Sequence, residues 1–210
     1  MAVTAENLVW IDCEMTGLDP VADALVEIAV LVTDAELNVL GEGVDVVIRP
    51  PQEALDQMVP FVRDMHTSSG LLERLEDGVS LAEASEACLA YITDHCPTPG
   101  KAVLAGNSVG QDKLFLTRDL PAITDHLHYR IVDVSTLKEL ARRWYPKAYF
   151  QAPAKTGGHR ALGDIIDSIN ELRYYREALL VPSPGPDSKA ARRIAAGVEK
   201  VGSEAPGNRV

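Results

Sequence analysis

The sequence predicts an α/β domain of about five strands with helices on both sides. Three observations predict it. Apolar runs rich in β-branched residues crowd the first fifty positions. From there to residue 180, helical periodicities alternate with short apolar runs. Apolar residues make up 46% of a 210-residue chain, enough for one core in a domain of ordinary size.

Leu8 to Met15 (LVWIDCEM) reads as a strand with carboxylates in its second half. Leu25 to Thr33 (LVEIAVLVT) is β-branched and mostly apolar, as expected of a central strand. Val44 to Arg49 is a third strand, stopped by Pro50 and Pro51. Asp19-Pro20 and Gly41-Glu42-Gly43 supply the turn signals between them, and such short connections require antiparallel pairing. Residues 53 to 95 read as helical, with Leu81, Ala84, Cys88, Tyr91 and Ile92 on one stripe and Ser80 with Glu83 as a capping box. A short strand from Ala102 to Leu104 ends at Gly106, and Ser108 with Gln111 is a second capping-box pair opening a helix through Arg118. Tyr129 to Val132 is the fifth strand, and Ser135 to Trp144 a helix stopped by Pro146. The last strong helix runs from about Ala161 to Leu180, with Leu162, Ile165, Ile166, Ile169 and Leu172 on one face.

After Leu180 the character changes. Residues 181–210 hold four of the thirteen prolines, four of the fifteen glycines and no aromatic residue. The domain is therefore assigned to residues 1–180, and 181–210 to a Pro/Gly-rich mobile tail with a marginal helix near Ser188–Lys200.

The net charge of −11 argues against coating long nucleic acid by surface charge, which needs Lys/Arg stripes. It leaves room for a short anionic substrate in a local pocket. From Arg130 to Arg160 seven Lys/Arg stand against two acids, a basic stretch that reads either as solvated helix face or as a phosphate-binding rim. No apolar window reaches the roughly 18 residues of a membrane span, and no secretory signal is visible. Cys13, Cys88 and Cys96 form no C-x-x-C pair, which fits a reducing compartment and so the cytoplasm.

Asp12 and Glu14 lie two apart in a strand, so they share a face with Trp10, while Ile11, Cys13 and Met15 share the other. Two acids at the end of an apolar strand need neutralising, and hard oxygen ligands select Mg²⁺, Mn²⁺ or Ca²⁺. An EF-hand register through Asp12, Glu14, Thr16, Gly17 and Asp23 fails, because a strand precedes it and position 12 is Asp. Asp112 and Asp164 each fall in a helix's first turn. A strand pair plus two helix-start acids is the set that two-metal phosphoryl transfer needs. His159, after Thr156-Gly157-Gly158, sits in a loop where it can serve as general base beside an activated water.

WIDCEMTGLDP, GNSVGQD, HYRIVDVSTLKELARRW and HRALGDIIDSINELRYYRE, in this order, resemble the oligoribonuclease family of DEDDh 3′-to-5′ exonucleases over about residues 7–178. The resemblance implies a ribonuclease-H-like fold: a five-stranded mixed sheet flanked by helices. It implies a metal-binding quartet of Asp12, Glu14, Asp112 and Asp164, two Mg²⁺ or Mn²⁺ ions, and His159 as general base. It implies short RNA oligonucleotides and dinucleotides as substrates, linear cyclic-dinucleotide breakdown products among them, and a homodimer. By the same resemblance Leu18 wedges against the bases, Ser108, Ser135 and Thr136 lie near the terminal phosphate, and His66 and Gln111 near the substrate. Tyr129 and Arg130 reach into the other subunit's site. Phe61 takes the place of the family's base-stacking aromatic, and Gly163 stands where an acid often precedes the last metal ligand. The alternatives are a related proofreading or RNA-trimming exonuclease and a catalytically silent nucleotide-binding module.

Overall fold

The computed structural model describes residues 7–156 and 158–198. Its centre is one five-stranded sheet in the order β3-β2-β1-β4-β5, built from β1 (Leu8–Met15), β2 (Leu25–Thr33), β3 (Val39–Val47), β4 (Val103–Gly106) and β5 (His128–Asp133). β1 pairs antiparallel with β2, and β2 with β3; β4 runs parallel to both β1 and β5. The sheet is therefore mixed, and β1 and β2 sit inside it. β2 is buried at all nine positions, which is why it reads as an unbroken apolar run.

The helices are α1 (Gln52–Gln57), α2 (Pro60–Ser68), α3 (Leu81–His95), α4 (Gly110–Asp119), α5 (Pro121–His126), α6 (Val134–Trp144), α7 (Pro146–Phe150), α8 (Ala161–Leu179) and α9 (Ser188–Gly197). Period two on β1 divides the core between two layers. Val9, Ile11, Cys13 and Met15 face a cluster that includes Ala84, Cys88 and Ile92 of α3 and Phe115 and Leu116 of α4. Trp10 faces the other, with Val134 and Ala141 of α6 and Ala161, Ile165 and Ile169 of α8. Trp10 is fully buried, and its indole Nε1 donates to Thr33 Oγ1 at 3.0 Å.

Several sequence expectations need correcting. Gly41-Glu42-Gly43 is no turn but lies within β3, at the register shift opposite Val30 to Val32. The positive φ of Gly41 (73°) and Gly43 (83°) is a bulge's backbone. The reversal comes earlier, where the Asp34 carboxylate accepts the Glu36 and Asn38 amides and Leu37 adopts φ 68°. Ser80 and Glu83 do form a capping box on α3. Ser108 and Gln111 do not: α4 has no side-chain cap, Ser108 takes φ 55°, and Gln111 Nε2 donates to the Leu18 carbonyl at 2.8 Å. Pro121 and Pro146 open α5 and α7 as well as closing α4 and α6, since proline suits the first helical position. Ile166 leaves the buried stripe of α8 and is 47% exposed.

The chain divides into two compact units between Leu179 and Leu180. In the second, Asp187 caps α9 by accepting the Ala190 amide. Lys200, expected at the end of that helix, lies outside the described residues. Among the described residues no helix is long and apolar enough to cross a membrane. All three cysteines are buried and free.

Candidate active site

Alternation along β1 sends Asp12 and Glu14 to the face that α8 covers, and α8 places Asp164 in its first turn. Ligand oxygens of these three carboxylates come within 4.8 Å of one another. Burial raises the pKa of each more than any other cause, and repulsion between acids adds to it. Asp12 is pushed up to about 9, with Asp112, Asp164 and Glu14 contributing. Glu14 is pushed up to about 7, first by burial and then by Asp164 and Glu27. Asp164 is raised by burial against the lowering influence of Lys155 and His159.

Asp112 is placed beside this trio but turned differently. Its Oδ1 accepts the Cys13 amide at 3.0 Å, across the end of β1. Burial pushes it up to about 7, and the Cys13 amide pulls the other way. Three carboxylates converge, then, and the fourth is tied to the strand that carries two of them. A crowded set of hard oxygen donors that holds protons near neutrality is matched to a small divalent cation, which would relieve both repulsion and desolvation.

His159 is exposed, with φ 59°, next to Gly158 with φ 67°. It lines a cleft of about 370 Å³ with Phe61, Asp64, Met65, Ser68, Ser69 and Gly158. Phe61, in the first turn of α2, is 78% exposed at this cleft. His66, one turn further on, is fully buried; Nε2 donates to the Met15 carbonyl at 2.8 Å. Burial lowers its pKa, which favours the uncharged ring. Its Nδ1 stands 4.0 Å from Glu14 Oε2 and has no hydrogen-bond partner among the described residues.

Leu18 is 70% exposed on the loop after β1. That loop is fixed by Asp23, whose carboxylate accepts Thr16 Oγ1 at 3.0 Å and the Asp19 amide at 2.9 Å. Gly17 leaves room for this, because a Cβ there would collide with the Asp23 carboxylate. Ser108, Ser135 and Thr136 gather where β4 and β5 end. Asp133 Oδ1 accepts the amides of Ser108 and Ser135, each at 2.9 Å, and the Ser135 hydroxyl at 2.6 Å. Thr136 is exposed in the first turn of α6. Tyr129 (73% exposed) and Arg130 stand on β5, the sheet edge, with the Arg130 guanidinium 5.6 Å from the Tyr129 ring centroid.

The basic stretch is largely engaged within the fold. Lys138 pairs with Glu171 at 3.2 Å, Arg142 and Arg143 pair with Glu139, and Arg160 pairs with Glu27. Two residues that sequence reasoning missed stand out. Asp133 organises the two serines, and Glu27, fully buried on β2, holds Arg160 beside His159. Glu27 carried a signal, as the single charge in an apolar strand.

Residues 9–172 match the exonuclease family model RNase_T. An oligoribonuclease of Streptomyces griseus is 65% identical over 191 residues, covering 91% of this chain and 95% of that protein. An oligoribonuclease of Cutibacterium acnes is 57% identical over 189 residues, covering 90% and 94%. Among solved structures, exonuclease I of Methylocaldum szegediense superposes with a TM-score of 0.61 at 24% identity, covering 82% of this chain and 41% of that one. The zinc-bound E. coli exonuclease I complex with single-stranded DNA gives 0.63 at 16% identity, covering 83% and 41%. This chain thus spans about two fifths of those exonuclease I chains. The shared part is the fold, a ribonuclease-H-like mixed sheet flanked by helices.

Proposed function

We propose that this chain, which belongs to the oligoribonuclease family of exonucleases, removes 5′-mononucleotides from the 3′ ends of short oligoribonucleotides, dinucleotides above all. The observation that carries the reading is the convergence of Asp12, Glu14 and Asp164 within 4.8 Å beside the loop of His159. A site that gathers acids and keeps no basic residue among its ligands suits a polyanionic substrate only with cations present.

Asp12, Glu14 and Asp164 would hold two Mg²⁺ or Mn²⁺ ions, with Asp112 supporting them through water. Bound there, such ions polarise the scissile phosphate and lower the pKa of a water. The chain's own residues do the rest. His159 takes the proton of the attacking water. The oxygen attacks phosphorus, the bond from phosphorus to O3′ breaks, the O3′ left on the shortened chain takes a proton from solvent, and the released nucleotide keeps its 5′-phosphate. Leu18 wedges against the bases, Phe61 stacks on a base, His66 and Gln111 line the substrate, and Ser108, Ser135 and Thr136 receive the terminal phosphate. That last contact measures length, because a longer chain has no terminal phosphate at that spacing, and the acidic exterior repels longer polyanions.

The exposed edge strand β5, with Tyr129 at 73% and Ile131 at 39% exposure, supports a homodimer in which Tyr129 and Arg130 reach the partner's site. Three buried free thiols support a cytoplasmic location. The catalytic domain is residues 1–180; no role falls to 181–210. Linear products of cyclic-dinucleotide breakdown belong to the same substrate class.

The test is turnover of a diribonucleotide with and without Mg²⁺, beside a 20-nucleotide RNA. Metal-dependent release of 5′-mononucleotides, much faster from the dinucleotide, is expected. No turnover with any divalent cation would leave the silent binding module, and equal rates on both lengths would leave the trimming nuclease.

A further inference from the structure

Glu27 is buried to 0% exposure in the middle of the sheet and stands directly across from Glu14 in the β1–β2 register. Like charges in that relation repel, and an unpaired carboxylate at such depth is costly. Glu27 is answered from one short segment. Arg160 Nε donates to Oε1 at 2.9 Å and to Oε2 at 3.2 Å, and Nη2 donates to Oε1 at 2.5 Å. The Ala161 amide donates to Oε2 at 3.0 Å. Arg74 and Asp45 complete the cluster, Arg74 at 3.9 Å from Glu27 and Asp45 at 3.6 Å from Arg160. A guanidinium fork on a carboxylate fixes direction as well as charge.

The clamped segment begins one residue after His159. His159 holds a left-handed backbone (φ 59°) that residues with a Cβ rarely adopt, and such a conformation persists only where its surroundings over-determine it. On its far side, the Arg160 carbonyl accepts the Asp164 amide at 3.0 Å and so opens α8. We infer that the Glu27–Arg160 pair positions His159 for proton transfer: Arg160 is a positioning residue that reaches the reaction through the imidazole, and Glu27 holds Arg160 while also facing Glu14. The inference rests on the proton role proposed for His159. The docking of α8 is a separate matter, because Ala161, Ile165 and Ile169 hold it in the core.

The test is a double-mutant cycle on single-turnover hydrolysis of a diribonucleotide. Glu27→Gln keeps the shape and one acceptor but loses the charged fork; Arg160→Lys keeps the charge and loses the fork. Each should lower the rate tenfold or more with the half-saturating substrate concentration unchanged within about twofold, and Arg160→Lys, which keeps the charges around Glu14, should leave Mn²⁺ affinity unchanged within about twofold. In the His159→Ala background the same substitutions should lower the residual rate less than twofold. Arg160→Lys, at a part-exposed residue, carries the test if Glu27→Gln does not fold. Equal losses in both backgrounds, or a loss of Mn²⁺ affinity in Arg160→Lys, would overturn the clamp while leaving the proposed reaction standing. A wild-type rate in His159→Ala would overturn the proton role and the clamp's purpose with it.

Discussion

Replacing Asp12 by asparagine should stabilise the cation-free protein while abolishing turnover. The folded protein raises Asp12 from its ordinary 3.8 to about 9. The unfolded chain ionises this group near pH 4; the folded one keeps it protonated until far higher pH. Its contribution to stability is therefore fully present below pH 3.8 and is lost as pH rises through about 9. At about 1.4 kcal/mol per pH unit, the loss by pH 7 has a ceiling of about 4 kcal/mol. Asparagine has the same shape and no charge to desolvate, so Asp12→Asn should recover about 1–4 kcal/mol at pH 7 in EDTA. Urea denaturation at pH 5, 7 and 9 measures it, and the gap between variant and wild type should widen with pH. Mn²⁺ should reverse the order, raising the wild-type midpoint more than the variant's, and more at pH 8 than at pH 6, where protons compete for the ligands. A variant no more stable than wild type in EDTA at every pH would refute the account of the acids as crowded and unmatched.

Three other substitutions probe other parts of the molecule. His159→Ala should cut kcat by about 10²–10⁴ with Mn²⁺ affinity retained, read by steady-state kinetics and calorimetry; an unchanged pH–rate profile would remove His159 as the base. Phe61→Ala should weaken dinucleotide binding by about 1–3 kcal/mol, the range for base–aromatic stacking, measured as Kd with Ca²⁺ present; an unchanged Kd would take Phe61 out of the substrate site. Thr33→Val keeps the side-chain shape but orphans the buried Trp10 indole N–H, so it should cost about 1–3 kcal/mol in urea denaturation and leave turnover alone.

What was legible in the sequence was local periodicity. β1 and β2 read true to the residue because a buried strand is a continuous apolar run, and period two put Asp12 and Glu14 on one face. The first turn of α8 followed from the period of its buried stripe, which brought Asp164 into the same reading. The failures were non-local or conformational. Gly41 and Gly43 have the composition of a turn and the geometry of a bulge, and only the partner strand distinguishes the two. Ser108 looks like a cap, yet its amide is claimed by Asp133, 25 residues away. Glu27 was visible as an anomaly but not as a clamp, because its partner Arg160 is 133 residues distant.

The place of β1 in the sheet has a dynamic consequence. β4 flanks it only from Leu8 to Trp10, so around Asp12 and Glu14 the strand is held by β2 on one side and by the Asp112 carboxylate on the Cys13 amide on the other, and the amides paired with β2 should exchange hydrogen only when that ladder opens. His159 sits on an exposed loop that needs no such opening. The candidate site thus draws its acids from a sheet strand and its histidine from an exposed loop whose hold on the sheet is the Arg160–Glu27 pair. Gradual warming should loosen that histidine only once the pair that anchors its loop gives way.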